Sequence, residues 1–250
     1  MPDALSAALA FDGLGWLLAG TILAGLARGF SGFGTALIFM PIAGQFMPPI
    51  WALTALVIMD VFGPIPNLPR AKRDGDMKEV AILTVAMALT LPLGLMVLAS
   101  LRPELFRYAV SILALLVPVL LLAGLRYRGR LSLPVLAGTG GLSGFLGGVV
   151  GVPGPPVILL YLASTRRAAQ VRANILIYLF AFDIILIALL AVQDRLEAVP
   201  LIIGLILAPP VILANMVGAA IFRPEKERLY RAAAYLMIAA AAISGLPLWD

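Results

Sequence analysis

Cysteine and histidine are both absent from this chain, and charge is scarce. Without cysteine there is no disulfide, no thiol nucleophile and no thiolate metal site. Without histidine there is no Ser-His triad, no HExxH zinc site and no imidazole proton relay. Only 12% of the 250 residues are charged, against roughly 25% in soluble domains. No GxxxxGK[ST] phosphate loop occurs, so ATP is not hydrolysed here. Neither a metal nor a cofactor is expected. What remains is apolar: 62% of residues are hydrophobic and the mean hydropathy is +1.05. That composition describes an all-α integral membrane protein with little mass outside the bilayer. The net charge of +5 calls for no nucleic acid, because basic loops beside a bilayer follow from membrane insertion. The segment Met1–Ala10, with Asp3 and no basic flank, is not expected to act as a secretory signal.

Within this apolar background one motif occurs twice. The first copy reads Gly25-Leu-Ala-Arg28-Gly29-Phe-Ser31-Gly32-Phe-Gly34-Thr35, and the second Gly144-Phe-Leu-Gly-Gly148-Val-Val-Gly151-Val-Pro153-Gly154. Glycine holds the first, fifth and eighth places of both copies, 119 residues apart (144 − 25). Paired glycine-rich breaks at matching places in two halves point to a transporter's binding site. Glycines at four-residue spacing also serve simply to let helices pack closely.

Apolar segments long enough to span, roughly 20 residues each, run about 51–69, 79–100, 105–125, 171–192, 198–222 and 230–248. Two longer stretches, 13–46 and 131–163, contain the motifs. A straight helix of that length would reach about 48 Å, well beyond the roughly 30 Å hydrocarbon core. If each were a single crossing, Lys and Arg would divide eight against nine between the two sides. If each turns back as a re-entrant hairpin, they divide 14 against 3, as short cytoplasmic loops require. The expected fold is therefore two halves, 1–125 and 126–250, each a glycine-broken hairpin plus three transmembrane helices. Three crossings is an odd number, so the halves would be inverted-topology repeats with a midplane site.

Seventeen of the eighteen basic residues fall in loops; the eighteenth is Arg28, at the first break. A guanidinium there suits a carboxylate, sulfonate or phosphate, or pairs structurally with an aspartate. Asp60 and Asp183 are the acids placed inside spans, where such groups serve proton or cation coupling or satisfy broken backbone. Candidate substrate contacts are Arg28, Gly29, Ser31, Gly32, Gly34, Thr35, Gly148, Gly151, Pro153, Gly154 and Asn174, with Asn215 weaker. Trp16, Trp51 and Trp249 read as interface anchors. Small-residue faces such as 232–242 permit a homodimer.

At the twin breaks the chain resembles the TauE/SafE family of sulfite exporters, also called TSUP transporters. The likeness rests on Arg28 to Gly34 followed by Pro41, on Gly148 to Pro156, and on the loop Arg73-Asp74-Gly75-Asp76, and it covers nearly the whole chain. Many members carry an acidic residue and four consecutive glycines in the first motif, where this chain has Arg28. The resemblance implies a multi-pass transporter of the bacterial inner membrane that exports a small sulfur-containing anion such as sulfite or a sulfonate like sulfoacetate. A different class, an intramembrane enzyme acting on a lipid pyrophosphate, would use Arg28 and Ser31 but lacks a deep glutamate or histidine.

Overall fold

The computed structural model describes residues 2–123, 131–161, 164 and 166–248. Every regular element among them is helical. After the short α1 (Pro2–Leu9) come α2 (Leu14–Ser31), α3 (Thr35–Phe46), α4 (Pro49–Asp60), α5 (Leu68–Asp74), α6 (Met77–Ser100) and α7 (Pro103–Leu122). The second half supplies α8 (Leu133–Val150), α9 (Gly154–Tyr161), α10 (Ala168–Val192), α11 (Ala198–Ile221) and α12 (Glu227–Gly245). Six helices, α2, α6, α7, α8, α10 and α11, are long and apolar enough to cross a membrane, or seven if α4 and α5 form one span. Leu89, Met96, Leu122, Val192, Leu213 and Leu236 are each more than 60% exposed, a surface that lipid solvates and water does not.

Both glycine motifs end a helix and reverse the chain. Gly32 caps α2 in the left-handed region (φ 82°), its N–H donating to Arg28 O. Gly151 caps α8 in the same way (φ 74°). Gly34 (φ 114°) then opens α3. A residue with a Cβ is disfavoured at such angles. The return is direct in the first hairpin: Gly13, just before α2, lies against the ring of Phe46 at the end of α3. Pro153 precedes α9, and Pro155 sits in its first turn, where a missing N–H costs no helix bond.

The repeated glycines at the first and fifth places do something else. A Cβ on Gly25 would stand 2.6 Å from Val211 O, and one on Gly148 2.6 Å from Leu91 O. Gly29 meets Gly218, and Gly148 meets Gly94. So α2 lies against α11, and α8 against α6, at backbone-contact distance. Each pre-break helix packs on a helix of the other half.

These contacts also sort the ends of the bundle. Trp51 Nε1 donates to Glu197 Oε1 at 2.8 Å, joining the starts of α4 and α11. Arg107 Nε donates to Gly245 O at 3.1 Å, joining the start of α7 to the end of α12. At the other end Arg166 pairs with Glu79 and lies 3.9 Å from Asp76, and Phe30 meets Tyr230. Segments 70–78, 166–172 and 223–231 thus share one basic end, while Arg102 and Arg195 lie at the opposite end. The first hairpin opens toward that opposite end and the second toward the basic end. The basic run 126–130 and Trp249 lie outside the described residues.

The hairpin arms are unequal: α2 and α8 have 18 residues each, α3 has 12 and α9 has 8. Two expectations need adjusting. The span expected at 51–69 is two helices, α4 and α5, bent by 46°, because Pro64, Pro66 and Pro69 remove backbone donors there. The span expected at 230–248 is helical as α12 but is not among the six. Its charged first turn and alanine-rich body lower its hydropathy.

Candidate functional site

Where the two breaks meet, they enclose a cavity of about 70 Å³. Its walls come from both halves: Arg28, Gly32, Gly34 and Thr35 from the first hairpin, and Gly151, Pro153 and Gly154 from the second. Asp60 at the end of α4 and Asp183 in the middle of α10 complete its polar lining, while Phe33, Leu56, Val117 and Phe182 make it greasy. The volume is far below the roughly 300–1,000 Å³ of drug-sized sites and suits a small ion.

Arg28 sits in the last turn of α2, so the Gly32 cap fixes where its side chain emerges. Its Nη1 pairs with Asp60 and lies 3.3 Å from Thr35 Oγ1 as donor. The two charged side chains keep 20% and 18% of their surface. Asp183 is buried and lines the same cavity as Asp60 and Arg28. Both ionised carboxylates against one guanidinium leave a formal charge of −1. The first turn of α3, Thr35 to Leu37, also faces the cavity, aiming the positive end of its dipole inward. Pro155 and Pro156 strip two N–H donors from the equivalent turn of α9.

Of the residues nominated from sequence, Gly29, Ser31, Gly148 and Asn174 do not line this cavity. Gly29 and Gly148 are helix-crossing points. Ser31 Oγ lies 2.6 Å from Ala27 O and 2.8 Å from Phe33 O, holding the turn itself. Asn174 belongs to a separate buried cluster at the basic end. There its Nδ2 donates to Glu79 Oε2 (3.2 Å) and to Tyr161 OH (2.9 Å), and its Oδ1 accepts from Asp76 N (2.7 Å). Tyr161 OH also donates to Glu79 Oε2, and Arg166 pairs with Oε1. Glu79, which holds this cluster together, was not singled out from sequence. The loop Arg73-Asp74-Gly75-Asp76, whose Asp76 caps α6 by accepting from Lys78 N and Glu79 N, was the available signal. Also missed were Ser143 and Tyr178. Ser143 donates to Pro153 O and accepts from Tyr178 OH at 2.6 Å, pinning the second break.

A cationic side chain and a helix N-terminus thus face one small cavity between the two glycine-broken hairpins. The chain belongs to the sulfite exporter TauE/SafE family, whose model matches residues 17–245. It is also similar to a protein of Cupriavidus necator described as a probable sulfite/organosulfonate exporter TauE. That protein is 23% identical over 198 residues, covering 75% of this chain and 76% of the relative. No solved structure matches. The family is one of transporters, so the enzymatic alternative falls.

Proposed function

We propose that this protein is a secondary exporter of a small sulfur oxyanion or organosulfonate, such as sulfite or sulfoacetate, in the bacterial inner membrane. It works by alternating access at the cavity between the breaks, with the two halves as inverted-topology repeats. The observation that carries this reading is Arg28, a guanidinium facing a small cavity built from both hairpins. A guanidinium grips an oxyanion with parallel hydrogen bonds, and the α3 N-terminus adds backbone donors. The Cupriavidus necator relative, described as a sulfite/organosulfonate exporter, supports the substrate class.

Charge balance supports coupling to protons. With Asp60 and Asp183 both ionised, an incoming anion meets a net negative site. Protonation of either acid removes that repulsion, and protonation of Asp60 would also free Arg28 to turn to the substrate. Anion and proton binding then favour each other by linkage. The test is flux in proteoliposomes with labelled sulfite and sulfoacetate under imposed pH gradients. Uptake of neither anion, in protein shown to be folded, would sink the reading.

A further inference from the structure

The Arg28–Asp60 pair has a second side. Beyond it lies another cavity, about 110 Å³, lined by Arg28, Asp60, Asn67, Leu176 and Asn215 among others. Asn67 and Leu176 in turn border a groove of about 350 Å³ that also holds Arg70, Asp74 and Arg172. Asn67, Arg70, Asp74 and Arg172 are exposed, so the groove is open to the surface at the basic end. Consecutive chambers share their boundary residues: Arg28 and Asp60 first, then Asn67 and Leu176.

The helix register explains the alignment. Along α4, the bend after it and α5 the lining includes Leu56, Asp60, Gly63, Asn67, Arg70 and Asp74. Along α10 it includes Arg172, Leu176, Leu179 and Asp183, spaced by fours and threes. Such steps keep one face of a helix, and α10 packs on both α4 and α5. The chambers therefore follow the seam between α10 and the bent α4–α5 pair. On its other side, Met40 packs on Gly151 of the central cavity and is fully buried.

We propose that this seam is the path by which the anion reaches the central site, with the groove at Arg70 and Arg172 as an outer anion-capturing site and the Arg28–Asp60 pair as the barrier between chambers. The proposal rests on the anion-transport reading for its cargo. Asp74 engages Arg70 at 3.5 Å; among the described residues Arg172 has no ion-pair partner. The groove is therefore net positive and attracts anions from solution. In this conformation the chambers lead from the central cavity toward the basic end.

The cysteine-free chain allows a direct test with a membrane-impermeant anionic thiosulfonate reagent applied to each face in turn. Leu176→Cys is expected to react from the face at which Arg73→Cys reacts, and Leu179→Cys, beyond the pair, several-fold more slowly. Adding Asp60→Asn, or Arg28→Gln with Asp60→Asn should the single change not fold, is expected to bring Leu179→Cys close to the Leu176→Cys rate. An unreactive Leu176→Cys, or a Leu179→Cys rate unmoved by opening the pair, overturns the path. In flux assays, Arg70→Gln with Arg172→Gln is expected to raise KM for sulfoacetate several-fold with Vmax unchanged, an effect that shrinks at high salt; an unchanged KM overturns the capture site. Labelling as expected in a protein that moves neither sulfite nor sulfoacetate would defeat the cargo assignment and leave the path standing.

Discussion

Arg28 is the residue on which most depends, and its geometry makes lysine a poor replacement. Lysine offers a point charge where arginine offers a fork. One charge-assisted hydrogen bond is worth roughly 1.5–3 kcal/mol, so Arg28→Lys should weaken anion binding at least about 10-fold while folded yield stays close to the wild type. Binding measured on purified protein checks this; equal loss of yield and binding would mark a structural pair instead. Asp60→Asn should lower folded yield, because it strands the guanidinium. Breaking a fully buried pair costs roughly 3–5 kcal/mol. The penalty here is smaller, since each partner keeps about a fifth of its surface. Arg28→Gln combined with Asp60→Asn should recover much of that yield.

At the scale of elements, the glycines of one motif divide into two kinds of work. Gly148 lies where α8 crosses α6, with Leu91 O and Gly94 Cα 2.6 and 2.8 Å from where its Cβ would be. Backbone cannot step aside as a side chain can. Gly148→Ala should therefore cost about 1–3 kcal/mol, as overpacking does, and lower the melting temperature of detergent-purified protein. Gly32 has nothing within 4 Å of its Cβ position, only a positive φ. Gly32→Ala should cost about 1–2 kcal/mol through that backbone angle, and should act more on transport than Gly148→Ala does, because the turn it shapes lines the cavity. Should Gly148→Ala melt like the wild type, the close helix crossing is not needed for stability.

For the whole molecule, the two ends predict how it sits in the membrane. Arg73→Cys and Arg102→Cys should react with an impermeant thiol reagent from opposite faces, the former only from the cytoplasm. Labelling of residue 73 from outside the cell would reverse the orientation. Proton linkage sets a second expectation at this scale. Under the proposed coupling, in which anion binding is accompanied by uptake of one proton, affinity should strengthen as pH falls, by up to about tenfold per pH unit. Asp183→Asn should flatten that dependence. It should also abolish gradient-driven accumulation while preserving exchange of substrate for substrate, which moves no net proton. A pH-independent flux in the unmodified protein, with both Asn variants active, would end the coupling proposal.

How much was legible beforehand differed by kind of information. Composition alone settled the membrane class, because hydropathy is a sum over residues and needs no neighbours. The breaks were legible because a Gly-rich interruption of an apolar run is a local event. Arg28, Asp60 and Asp183 stood out as charges with no aqueous place to go. Sequence could not separate Gly148, a packing contact with Gly94, from Gly151, a turn beside the cavity, since both are glycines three residues apart. Nor could it take Asn174 from the cavity to the Glu79 cluster, or reveal Ser143 holding Pro153 in place. Those assignments depend on which helix faces which across separations of 50 residues or more, as for Gly94 with Gly148, or on the fold-back of a broken hairpin. Only tertiary packing decides them, and it alone laid the bent α4–α5 pair along α10.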